Sequence, residues 1–203
     1  AASDVYKRQL LGLFCTLQAQ DAPGLKIAAL HPILGDMARA IGGSHVQVAD
    51  LLRPNGNLHS FEPAPQDIAA AGQARLVLAS GKNLEPYLPK LKDALGGRAQ
   101  ILDLGASIPD VPVAADTADH DHGHDGDCCA HGPNDPHWWH TPANMKRAAR
   151  ALAAALTRMD PAHEQDYKAG LARWNRKMDQ LSSWARKELA DIPEADRILV
   201  TGH

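Results

Sequence analysis

The chain of 203 residues carries 21 basic and 24 acidic residues and is only 4% aromatic, a balance that excludes a nucleic-acid surface. That length supports one large domain or two small lobes, either able to bury a core. Eleven histidines are the anomaly, and they direct attention to metal chemistry.

Taken in order, residues 1–9 include Asp4-Val5-Tyr6-Lys7-Arg8-Gln9, which matches the translated end of a transposon used in preparing sequencing libraries. They are expected to be non-native. Residues 10–24 read as the remnant of a secretory signal peptide, cut near Ala19, with a polar linker behind it. The apolar run is too short to span a bilayer, and the bland alternative is a buried first strand. Phe14 before Cys15 argues against lipoprotein processing, which prefers a small residue there. Export to the periplasm is the expectation. Removal of the leader leaves only Cys128 and Cys129, and neighbouring cysteines close only a strained ring. Metal contact or oxidation is their expected use.

Residues 25–159 are expected to form an N-terminal α/β lobe. Strands are expected at 26–30, 46–52, 75–79 and 100–104, and helices at 32–41, 66–74 and 84–95. Strands alternating with helices imply a parallel sheet covered on both faces, with ligands bound beyond the carboxyl ends of the strands. His31 and His59 both lie in such loops. Glu62 is expected to cap the helix that follows it.

Between residues 108 and 133 periodicity disappears, and residues 116–134 are expected to form a histidine-rich surface loop. A helix is expected over 142–159, with Thr141 as its N-cap and Pro142 in its first turn. A long helix follows over 160–193, with Tyr167, Leu171, Trp174, Met178, Leu181 and Ala185 as one buried stripe and Trp184 as packing. Residues 194–203 read as a strand entering a loop. A lone strand has no sheet, so the expectation is a fragment: one lobe, a spanning helix and the first strand of a C-terminal lobe that is mostly missing.

The chemistry concentrates in Asp135-Pro136-His137-Trp138-Trp139-His140-Thr141-Pro142 and the tract before it. Imidazoles, carboxylates and thiols crowd there into a segment too polar to form a core. His137 is expected to be a buried metal ligand, with Trp139 fixing its ring. His120, His122, His124 and His131, with Cys128 and Cys129, are expected to sample the same ion from the loop, or to form a solvated linker that binds metal incidentally.

Four separated motifs then point to a family. Asn55-Gly56-Asn57-Leu58-His59-Ser60-Phe61-Glu62-Pro63, Asn83-Leu84-Glu85-Pro86-Tyr87, Asp135-Pro136-His137-Trp138-Trp139 and Leu199-Val200-Thr201-Gly202-His203 occur in one order. Together they resemble the metal-specific solute-binding proteins of ABC importers, the zinc-type members in particular. The resemblance implies a two-lobed α/β protein with parallel sheets joined by a long rigid helix and the metal between the lobes. It places His59, His137 and His203 on ligand positions, with a fourth ligand, usually Asp or Glu, in the second lobe. The chain departs from the commoner Leu-Asp-Pro at His140-Thr141-Pro142, which leaves a role for His140 open.

Zinc favours nitrogen and sulfur in a tetrahedron, whereas manganese favours more oxygen. Relatives that bind manganese place a carboxylate at the third position, so His203 would decide for Zn²⁺. The expected function is zinc capture in the periplasm and delivery to an inner-membrane ABC permease, with a periplasmic zinc chaperone as a second partner, by a monomer that is not an enzyme. Three alternatives stand beside it: a manganese or other divalent-metal binder of the same family, a zinc hydrolase, and a histidine-rich zinc buffer. No HExxH helix marks a hydrolase. His31 is expected behind the site, and His45 and His163 on the surface.

Overall fold

A computed structural model describes residues 24–53, 56–112, 134–193 and 196–197. The expected leader, most of the expected histidine-rich loop with His120, His122, His124, His131, Cys128 and Cys129, and the strand expected at the end with His203 lie outside the described residues. No helix among the described residues is long and apolar enough to cross a membrane.

Four strands form the sheet: β1 (Leu25–Ala29), β2 (Val46–Asp50), β3 (Leu76–Ala79) and β4 (Gln100–Asp103). They pair in the order β2-β1-β3-β4, every pair parallel. Because successive side chains point to opposite faces, each central strand feeds two cores. Ile27, Ala29, Leu76 and Leu78 enter the larger one, and Ala28, Val77 and Ala79 the other. That is why residues 27–30 and 76–79 read as unbroken apolar runs rather than alternating ones.

The larger core is closed by α1 (Pro32–Gly42), α4 (Pro142–Met159) and α5 (Glu164–Glu188), through Met37, Ile41, Leu152, Leu156 and Tyr167. The opposite core is closed by α2 (Pro65–Gln73) and α3 (Leu88–Leu95), through Ala71, Leu91 and Leu95. The chain runs from β1 outward to β2 and returns past β1 to β3. The order of strand addition therefore reverses between β1 and β3, and the crevice at their carboxyl ends is the natural ligand position.

The helix expected over 142–159 matches α4 (Pro142–Met159), but its cap differs. The Thr141 side chain makes no capping bond, and only its carbonyl accepts, from the N–H groups of Asn144 and Met145. Glu62 does not cap α2 either. Asp67 does, its Oδ2 accepting the Ala64 N–H at 2.9 Å from within the first turn. The helix expected from residue 84 begins only at Leu88. Lys82 and Asn83 adopt positive φ, and the Glu85 carboxylate folds back onto the strand end instead of pointing outward.

The long helix is preceded by a 3-10 turn, Pro161–His163. Its start is locked to the lobe at Gly170, where a side chain would collide with the carbonyl of Ile41. Burial then fades along α5: Tyr167 is 0% exposed, Leu181 45% and Trp184 60%. The expectations that Leu181 continues the buried stripe and that Trp184 is packing are corrected here. A helix of 25 residues is about 37 Å long, and it outruns the lobe it leaves. His45 and His163 are not plain surface residues, since their rings stack at 3.8 Å beside Asp160, Asp166 and Tyr167.

Candidate metal centre

Two histidines 78 residues apart meet at the carboxyl end of the sheet. His59 lies in the loop after β2, and His137 immediately precedes the 3-10 turn Trp138–His140 that leads into α4. Their Nε2 atoms are 3.2 Å apart. Two imidazole nitrogens bound to one tetrahedral zinc, each at about 2.05 Å, sit about 3.3 Å from one another. The observed spacing fits such a chelate pair and equally an imidazole N–H···N hydrogen bond, and among the described residues no third His, Cys, Asp or Glu joins the two to hold a metal ion.

The local backbone explains how each ring is aimed. Asn57 lies two residues before His59, and Asp135 two before His137. In both cases the Oδ1 accepts the histidine N–H at 2.9 Å, forming an Asx turn. Asp135 does more, because the same Oδ1 also accepts the Nδ1–H of His137 at 2.7 Å. With Nδ1 protonated, the Nε2 lone pair is directed toward His59. Burial pushes the Asp135 carboxyl up. The N–H and ring hydrogen bonds of His137 and the nearby imidazole charges outweigh it and hold the group below the usual carboxylate range.

Behind the pair stand two tryptophans. Trp139 meets the His137 ring at 5.3 Å and the His31 ring at 5.4 Å. Trp138 is 5% exposed, and its indole N–H donates to the Ser80 carbonyl at 3.1 Å. His31, 1% exposed, shares a 2.7 Å hydrogen bond between its Nε2 and Ser80 Oγ. Burial lowers its pKa to about 4, so it is neutral. Glu85 is 5% exposed and accepts the N–H groups of Ser80 and Gly81 at 2.7 and 2.9 Å. Burial raises it to about 7, against those two bonds and with the Asp103 charge.

Of the residues assigned from sequence, His59 and His137 come together, and His31 lies behind Trp139. His140 is exposed, with its ring 6.2 Å from that of His137. Glu62 is exposed. His203 and the loop histidines lie outside the described residues. Asp135 and Ser80 escaped sequence reasoning. The Asp-x-His spacing, repeated as Asn-x-His at residue 57, was the available signal for Asp135; Ser80 had none.

The family described as ZnuA, zinc-uptake complex component A, periplasmic, matches the chain over residues 27–203. The iron-binding protein YfeA of Yersinia pestis is 30% identical over 184 residues, covering 89% of this chain and 54% of that protein. The manganese ABC transporter substrate-binding lipoprotein PsaA of Streptococcus anginosus is 25% identical, over 87% of this chain and 55% of its own length. A crystal structure of a zinc-bound ZnuA deletion mutant superposes with a TM-score of 0.72 at 27% identity, covering 84% of this chain and 60% of that one. The chain thus spans about half the length of the curated relatives it matches.

Proposed function

The chain belongs to the ZnuA family of periplasmic metal-binding proteins of ABC transporters, and from that membership we propose that it captures Zn²⁺ in the periplasm and delivers it to a membrane permease. The observation that carries the reading is the pair of Nε2 atoms at 3.2 Å, with Asp135 fixing the tautomer of one of them. Two imidazoles at this spacing can share one metal ion without rearrangement, and the kinds of donor select the ion. Relatives named for iron, manganese and zinc share the fold. Zinc is proposed here because the third position, His203, supplies nitrogen where a manganese site would supply oxygen. A fourth donor would come from the second lobe.

The reading is binding rather than turnover. Closure of two lobes on an ion fills the coordination position that a hydrolytic zinc keeps open for water. The histidine-rich loop is proposed as an auxiliary collector through His120, His122, His124 and His131.

The test is chelator competition with zinc and manganese on the full-length protein, its His137→Ala variant and a variant lacking residues 119–131. Tight zinc binding should vanish with His137→Ala and survive the deletion. The reverse pattern would make the loop a buffer and end the proposal. Zinc affinity should also fall as pH drops through the imidazole range, because the ligands must be deprotonated to bind. An affinity flat between about pH 5 and 8 would exclude imidazole ligation.

A further inference from the structure

Ser80 is completely buried at the end of β3, and each of its polar groups is engaged with a different part of the site. Its N–H donates to Glu85. The carbonyl accepts the N–H of Gly105 at 2.9 Å, beyond β4, and the indole N–H of Trp138 at 3.1 Å. The hydroxyl bonds His31, beyond β1. One residue therefore ties together the carboxyl ends of three strands and the turn that carries His137.

We propose that Ser80 is a positioning residue for the metal site, acting through the two tryptophans that follow His137. The argument rests on the metal-site reading above. Trp138 is held directly, by the Ser80 carbonyl. Trp139 is held indirectly, because the Ser80 hydroxyl fixes the His31 ring, and Trp139 packs between that ring and the ring of His137. Ring contacts of this kind resist rotation of the imidazole, while Asp135 fixes only its tautomer and one edge. The His31 hydrogen bond has no substitute, since His31 is buried and its Nδ1 has no partner among the described residues.

Ser80→Ala removes the hydroxyl and leaves the carbonyl bonds in place. It frees His31 without touching a ligand. Zinc affinity of the full-length protein should weaken about tenfold, at the low end for groups that orient a metal ligand. His31→Gln keeps a polar partner for the Ser80 hydroxyl but removes the ring against Trp139, and should produce a similar loss. The double variant should bind no more weakly than the worse single, because both changes cut one link.

A second readout separates positioning from stability. Cobalt(II) at saturation has visible bands that report the angles between its ligands. Those bands should shift in Ser80→Ala and His31→Gln, and a site that is merely less stable would leave them unchanged. Unshifted bands overturn the inference, and so does zinc affinity within about twofold of wild type or a loss that multiplies in the double variant. If Ser80→Ala does not fold, His31→Gln reads the same link from its other end. His137→Ala runs alongside: indifference there overturns the metal reading and this inference together, while indifference at Ser80 alone overturns only the positioning role.

Discussion

Removing the Asp135 carboxylate should weaken zinc binding without unfolding the lobe. The group supplies two hydrogen bonds to one residue, at 2.9 Å to the His137 N–H and 2.7 Å to its Nδ1–H. Partners of this kind contribute about 10- to 100-fold to metal affinity, equivalent to about 1.4–2.7 kcal/mol. The Asp135 side chain is 48% exposed, so water replaces part of what is lost. The expected effect of Asp135→Ala is therefore the lower bound, about tenfold or about 1.4 kcal/mol. Asp135→Asn should fall between it and wild type, because its amide oxygen still accepts the backbone N–H but accepts the ring proton less strongly. Competition against a graded series of chelators at pH 7.5 would measure both, with urea denaturation of the metal-free protein as the control. An Asp135→Ala affinity within about twofold of wild type would refute the argument that this carboxylate sets the tautomer of a ligand.

The remaining predictions concern stability. Glu85 has a folded pKa of about 7 against an ordinary 4.5, so its contribution is fully present below about pH 4.5 and is lost as pH rises through 7. The loss amounts to at most about 3 kcal/mol. His31, lowered to about 4, has the opposite sense: its contribution is present above about 6.5 and lost as pH falls through 4. Glu85→Gln stays neutral at every pH, so the difference in unfolding free energy between it and wild type should change between pH 5 and 8. A constant difference would show that Glu85 is ionised throughout. Gly170→Ala should destabilise by about 2 kcal/mol, because overpacking outweighs the helix propensity gained. Its Cβ would meet the Ile41 carbonyl, and the two helices must part to admit it. A urea midpoint equal to or above that of wild type would mean that the contact yields freely.

What the sequence by itself determined was local in origin. Apolar runs at β1 and β3 are two-sided because parallel central strands are buried on both faces. The Pro142 start and unbroken helical spacing placed α4 at its observed limits. His59 and His137 stood out because their motifs are contiguous, and each is aimed by a residue two positions away. The tertiary structure decided whatever depends on chain segments far apart in sequence. It brought the two imidazoles to 3.2 Å across 78 residues. It buried His31 against Ser80, 49 residues on, and made an unremarkable serine the meeting point of three strand ends. It also left Leu181 45% exposed where periodicity expects a buried stripe to continue. Helical spacing specifies which face is apolar, but only packing determines how far along the helix another surface covers that face.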